Sequence, residues 1–363
     1  MISLVRPVFG KKEKQLINEV IDSGIIASGK YVEQFEQKFA KLSGAKYGIA
    51  CSNGTTALHT ALVACGVKAG DKVITTPFTF IATSNSILYC GAKPIFADID
   101  PKTYNIDPKS VEKILKTQKV KAVICVHLYG LAIDMDALLK LKKKYKFALI
   151  EDACQAHLAK YKNKTVGAIA DAGAFSFYAT KNMTTGEGGI VLTNNSKINQ
   201  LSRQIINHGR SGHSTHTLLG YNYRLTNICA AMGIAQSEQI EEWTKKRISN
   251  AKKLSEGLKD IDFIEVPFVP KECTHVFHQY TLRIKKGLRD KFAQYLQKND
   301  IGCGVYYPEV IYKQPLYKNL GYKKGLCPVA EIAIKEVLSI PVHPSLKSED
   351  IDYIIKTIKG FKK

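Results

Sequence analysis

Three side chains in this sequence belong to types that together support chemistry none supports alone. They are Lys181 in the turn Tyr178-Ala179-Thr180-Lys181-Asn182, Ser176 shortly before it, and Asp152 in Glu151-Asp152-Ala153-Cys154-Gln155-Ala156-His157. A lysine condenses with an aldehyde when its amine can be neutral and reachable, and a turn after an apolar strand offers both. A hydroxyl beside it holds phosphate, and a carboxylate facing a pyridine nitrogen keeps that nitrogen protonated and the ring electron-withdrawing. Amine, hydroxyl and acid are what pyridoxal 5'-phosphate needs. Asp152 follows the apolar run Phe147–Ile150, at a strand end where open α/β sheets bind ligands, although its position alone also suits a helix cap. Gln155 is placed to meet the ring hydroxyl. Gly186, Gly188 and Gly189 permit close approach of backbone to a flat ring, or simply a tight turn.

A cofactor phosphate also wants unpaired N–H groups. Asn53-Gly54-Thr55-Thr56 precedes a helix expected over Ala57–Ala64, so Thr55 and Thr56 are candidate phosphate ligands at its positive end. Phe80, in Thr79-Phe80-Ile81-Ala82-Thr83, is the candidate for stacking on the ring, with Phe78 the alternative and core packing the plainer role for either. No metal is expected: His275 and His278 are not joined by the cysteines or carboxylates that would complete a zinc site.

The elements that must position these groups alternate strand and helix through the first 210 or so residues. Apolar runs at Tyr47–Cys51, Lys72–Thr76, Pro94–Ala97, Ala122–His127, Phe147–Ile150, Ala174–Phe177 and Ile190–Thr193 predict a mostly parallel sheet covered on both faces. Helical periodicity ends at Gly24 and again at Gly44. A long helix is expected from Asn227 to about Leu258. Strands at Phe263–Val266 and Gln279–Ile284 follow, with helices near Leu288–Lys298, Val329–Leu338 and Glu349–Ile358. The expected division is a large domain over 1–245 and a smaller α+β domain over 246–363, with the boundary inside the long helix.

Composition narrows the class of protein. At 363 residues with 45% hydrophobic content, the chain has material for a large core and a companion. The start lacks a secretory pattern, no apolar run is long enough to span a bilayer, and the nine cysteines form no C-x-x-C pair, so a cytoplasmic protein with no membrane partner is expected. The formal charge of +21 raises nucleic acid as a partner, but the lysines are spread over amphipathic helices such as Lys140–Lys146 and Lys252–Lys259 with no reading motif. Solvated helix faces are the simpler account, and no nucleic acid is expected. The charge would steer a nucleotide-linked anion.

Taken with Gly70-Asp71-Lys72-Val73-Ile74, Val126-His127-Leu128-Tyr129-Gly130, Asn207-His208-Gly209 and Gly220-Tyr221-Asn222-Tyr223-Arg224-Leu225, these stretches resemble, nearly end to end, the sugar aminotransferases of the DegT/DnrJ/EryC1/StrS family. The resemblance implies the type I, aspartate aminotransferase-like fold. It also implies pyridoxal phosphate on Lys181, and a homodimer in which Asn222, with Arg224 beside it, reaches the neighbour's cofactor phosphate. Substrates would be L-glutamate and a keto sugar on a nucleotide diphosphate, with His208 and Tyr307 as sugar contacts. Family members that dehydrate sugars carry histidine where this chain has Lys181, so transamination is favoured. A cyclitol ketone as acceptor, an aromatising dehydration, and a regulatory protein without turnover are the competing expectations. The chain departs from the family pattern at Leu158, where glycine is common, at Cys154, where alanine is common, and at Asn53, where serine is common. These positions shape the pocket beside the ring.

Overall fold

A computed structural model describes residues 1–362. The seven apolar runs become β1 (Tyr47–Cys51), β2 (Lys72–Thr75), β3 (Lys93–Phe96), β4 (Ala122–Val126), β5 (Ala148–Asp152), β6 (Ala172–Ser176) and β7 (Gly189–Thr193). They form one sheet in the spatial order β1, β7, β6, β5, β4, β2, β3. The pairs from β3 across to β6 are parallel. Strand β7 runs antiparallel to both β6 and β1. This is an α/β fold. Every residue of β4, β6 and β7 is buried, which is why these strands read as unbroken apolar runs.

Helices cover both faces. Phe35, Phe39 and Trp243 pack with Phe175 and Phe177 on one side, while Leu58, Leu62 and Ile205 pack with Ile150 and Val191 on the other. The helix Lys30–Ser43 stops at Gly44, which is left-handed at φ 72°. The helix Asn227–Leu258 is continuous over 32 residues, capped by the Thr226 side chain, which accepts from the Cys229 N–H. Its last turns join Phe263, Phe292 and Ile354 in a separate apolar cluster.

That C-terminal cluster lies on a second, antiparallel sheet, and here the sequence reading needs correction. Two strands were expected, with a helix over Val329–Leu338. The helix instead spans Pro328–Glu336, and the chain leaves it directly into a third strand, so that β8 (Ile264–Glu265), β9 (Tyr280–Ile284) and β10 (Val337–Ile340) lie side by side. Pairing of Tyr280 with Ile340 and of Arg283 with Val337 decides the matter, a contact that local periodicity does not carry. Among the described residues, no helix is long and apolar enough to cross a membrane.

Candidate active site

Strands β5 and β6 are neighbours with Asp152 opposite Ala174, so their carboxyl ends bring Asp152 and, two residues beyond that pairing, Ser176 to the same end of the sheet. Asp152 is only 4% exposed. Its Oδ2 accepts from the Thr83 hydroxyl at 2.7 Å and its Oδ1 from the Cys154 N–H at 3.2 Å. Hydrogen-bonded through both oxygens, the carboxylate is aimed rather than free. Asp152 follows the strand without opening a helix, so the cap reading does not apply. Its neighbour Glu151 fixes the strand end from behind: Oε1 accepts from Ile169 and Ala170 N–H, Oε2 from Gly167 N–H, and Oε2 also lies 3.0 Å from His127 Nε2.

Lys181 sits in the connection between β6 and β7, where its N–H donates to Tyr178 O at 2.9 Å. Phe177 N–H donates to Gly188 O, while the Thr185 N–H and the Thr184 hydroxyl both donate to Phe177 O, closing the loop around it. Part of the Lys181 residue is open, but its ammonium end is withdrawn from solvent. Burial pushes that ammonium below its ordinary value, opposed by Cys154 and Asp152. The structure therefore brings the amine and the acid within electrostatic range of each other.

The helix predicted to start at Ala57 starts earlier and spans Gly54–Ala64. Asn53 caps it, its Oδ1 accepting from Thr56 N–H at 2.9 Å. The Thr56 hydroxyl is drawn into the same cap, donating to Asn53 O at 2.9 Å, whereas Thr55 remains partly open at the helix start. Gly54 lies against the end of β6: a Cβ there would stand 2.7 Å from Ser176 Cβ and 3.0 Å from Cys154 Sγ. Only glycine lets the positive helix end and the Ser176 hydroxyl share one small space, the cradle that a phosphate group fits. Gly188 and Gly189 carry two readings, room for a flat ring or a tight turn of the chain itself. The structure shows a nearer reason, because Cβ atoms there would strike Thr185 Oγ1 and Asn53 O of the chain itself.

On the opposite side, Gln155 Oε1 accepts from Tyr129 N–H at 2.9 Å, and Nε2 donates to the Tyr307 hydroxyl at 2.6 Å. Tyr307 thus joins the site through Gln155. It is buried beside Phe78 and stacked with Tyr129, which, together with Asp152 nearby, pushes its phenol up. Phe78 belongs to that core cluster and is fully buried; Phe80 is 61% exposed, its carbonyl accepting from Thr83 N–H. His208 is exposed with φ 56°, and Asn222 is exposed, bridged to Asn207. Arg224 donates to Asn207 Oδ1 at 2.8 Å. The single chain does not bring His208 or Asn222 into hydrogen-bonding contact with Lys181 among the described residues. Leu158, at the position where family members favour glycine, adopts φ 65°, the left-handed conformation that explains that preference.

Sequence reasoning gave no role to Thr83 or His157. The four-residue spacing of Thr79 and Thr83 was the available signal for the first, and their hydroxyls lie 3.2 Å apart. His157 is caged by Phe39, Phe175 and Phe177, and burial with Lys181 nearby pushes it down to about 3. No cluster able to hold a metal occurs among the described residues.

A fold and site of this kind define a class of protein, and sequence comparison places the chain within it. The sequence model of the DegT/DnrJ/EryC1/StrS aminotransferase family matches residues 7–359, and the chain belongs to that family. It is 43% identical over 350 residues to the pleiotropic regulatory protein of Geobacillus stearothermophilus, covering 96% of this chain and 93% of that one. It is 38% identical over 371 residues to GDP-perosamine synthase of Escherichia coli O157:H7, covering 99% and 98%. The PLP form of the putative sugar aminotransferase Spr1654 from Streptococcus pneumoniae superposes with a TM-score of 0.93 at 26% identity, covering 99% and 97%.

Proposed function

We propose that this chain moves an amino group from L-glutamate to a keto sugar carried on a nucleotide diphosphate, using pyridoxal 5'-phosphate bound at Lys181. The observation that carries the reading is the desolvated Lys181 amine beside an Asp152 carboxylate already oriented by Thr83. When bound, pyridoxal phosphate supplies the aldehyde and the electron-withdrawing ring on which an amino group is parked. The Gly54 helix start, Thr55 and Ser176 bind its phosphate, with Thr56 setting the cap that aims those donors. Asp152 holds the proton on the ring nitrogen, and Gln155 with Tyr307 borders the ring edge bearing the hydroxyl. Lys181 Nζ, lowered by burial, takes and returns a proton at the carbon that gains or loses nitrogen. Phe80, exposed on the protein, would stack on the cofactor ring.

Asn222, exposed in one chain, serves the cofactor phosphate of a second subunit in a homodimer, with Arg224 held beside Asn207 for the same purpose. His208 and Tyr307 meet the sugar. The enzyme works in the cytoplasm, on amino sugars destined for glycans, and its large part ends near residue 245.

A regulatory protein without turnover is the second reading, favoured by the name of the Geobacillus relative. Its discriminating feature is the intact Lys181 and Asp152 pair, which regulation by binding alone does not require. The test is a panel of nucleotide-linked 3-keto and 4-keto hexoses incubated with holoenzyme and L-glutamate, read by 2-oxoglutarate release, together with borohydride trapping of the cofactor. Turnover with one sugar and a label on Lys181 are expected. A yellow, label-free protein inert toward every sugar defeats the proposal.

A further inference from the structure

The helix Asn227–Leu258 carries a charge that nothing among the described residues neutralises. Arg247 is only 5% exposed. Buried arginines are normally paired, because an uncompensated guanidinium away from water is costly. The arginine ion pairs among the described residues belong to Arg203, Arg283 and Arg289, not to Arg247. Arg247 Nη1 donates to Phe277 O at 3.1 Å, and its buried Nε has no partner. Burial pushes the guanidinium down to about 10, and the phenol of Tyr306 is the group that opposes this.

Its surroundings extend the pattern. Phe277 is held at φ 46° with its N–H donating to His275 Nδ1 at 2.9 Å, a constrained backbone that presents its carbonyl to Arg247. One residue earlier, Val276 O accepts from Asn182 Nδ2 at 3.2 Å, so the segment 276–277 is gripped on one side by the residue next to Lys181 and on the other by Arg247. His278 Nδ1 is buried without a partner, and His157 is wholly buried beside it. Lys181, Arg247 and His157 all lie close enough to His278 to disfavour its protonation. The result is a buried cluster rich in donors and positive charge, in which Lys181, His157, His278 and Arg247 lie within electrostatic range and no carboxylate pairs with Arg247 among the described residues.

We propose that Arg247 receives a carboxylate of the amino donor and sets that donor's position relative to Lys181, a role that rests on the transfer reaction proposed above. A carboxylate is the chemistry the cluster selects: it matches the guanidinium fork, and it supplies the negative charge and acceptor oxygens that Arg247 and the unpartnered His278 nitrogen lack. A neutral sugar hydroxyl supplies no charge.

The chain's single tryptophan, Trp243, lies one turn before Arg247 on the same helix and reports on the site without turnover. Holoenzyme is titrated with glutarate, which has both carboxylates but no amine, and with glutaramide, its uncharged counterpart, following Trp243 fluorescence. Saturable binding of glutarate, at least thirtyfold tighter than glutaramide, is expected. Arg247→Gln should weaken glutarate about thirtyfold or more, as loss of one partner from a buried charge pair does. Arg247→Lys should fall between. The KM for L-glutamate should rise by a similar factor while that for the keto sugar stays within about twofold, a split that a merely structural arginine would not produce. Glutarate binding within threefold of wild type in Arg247→Gln overturns the proposal. So does equal binding of glutarate and glutaramide to the wild type, a measurement that stands even if Arg247→Gln does not fold. If glutarate binding depends on Arg247 but L-glutamate converts no cofactor in the wild type, the transfer reading fails while the carboxylate site stands.

Discussion

Replacing Gly54 by alanine puts the phosphate cradle to a direct test. The added Cβ would stand 2.7 Å from Ser176 Cβ and 3.0 Å from Cys154 Sγ, where ordinary carbon contacts lie near ~3.5–4.0 Å. Ser176 ends a buried strand and cannot rotate its Cβ away, so the helix start must retreat by about 1 Å. Absorbing that retreat costs about 1–3 kcal/mol of stability. It also separates the helix N–H groups from the Ser176 hydroxyl, so a phosphate can reach one set or the other. Losing one charge-assisted hydrogen bond is worth about 1.5–3 kcal/mol, or roughly 10- to 100-fold in affinity. The assay is equilibrium dialysis of Gly54→Ala and wild type against pyridoxal phosphate and against pyridoxal, which lacks the phosphate. The variant should lose about 10- to 100-fold for the phosphorylated compound and much less for the other. Equal losses for both, or none with an unchanged melting temperature, would mean that this helix end does not hold phosphate.

Asp152→Asn keeps the shape of the side chain but removes the charge that favours a protonated ring nitrogen; a neighbouring charge is worth about 1–3 pKa units, so turnover should fall by roughly 10- to 1,000-fold, and unchanged turnover would show that the acid is misassigned. Lys181→Ala should lose both the borohydride label and multiple turnover. In cofactor-free protein, Lys181→Met should be more stable than wild type at neutral pH. Because folding lowers the lysine, the charged amine penalises the native state below the folded pKa, and the difference should vanish as pH rises past about 10.5; a constant or reversed difference in melting temperature refutes it. His157 is lowered from 6.5 to about 3, so the unfolded chain takes up that proton first and stability must fall between those values as pH drops. His157→Leu should flatten that slope in acid melting curves, and an unaltered slope would show that His157 is not buried neutral.

The seven strands of the main sheet were legible because strands covered on both faces have no polar side to interrupt them, and β4, β6 and β7 are of that kind. The placement of Asp152, Ser176 and Gln155 was legible for a related reason: each sits at or just past a strand end, a place that chain order alone locates. Val337–Ile340 was not, since Pro-Val-Ala-Glu-Ile-Ala-Ile-Lys-Glu continues into it with helical spacing and its partner strand lies more than fifty residues away. Thr83 reaches Asp152 from the helix Ala82–Tyr89, 69 residues distant in sequence, and the Thr79–Thr83 spacing alone does not name that partner. Arg247 was hidden by company: in Thr244-Lys245-Lys246-Arg247 it reads as one more solvated cation, and only the turn of the helix separates it from the exposed lysines. At Gly188 and Gly189 the sequence leaves a ring contact and a tight turn both open, and the chain's own packing is a sufficient reason for glycine.

Because β7 returns antiparallel beside β6, the Lys181 amine rides on a hairpin whose two legs are both knitted into the sheet, unlike the helical crossovers that lead from β2 to β3, β3 to β4 and β4 to β5. A crossover tolerates slack, since a helix can slide by part of a turn without dragging the next strand. A hairpin does not: one residue added between Phe177 and Gly188 must either bulge outward or shift the register of β7 and turn its side chains to the other face. Engineers grafting tags or new loops onto this scaffold therefore have freedom at the helical crossovers, and almost none along this one short span.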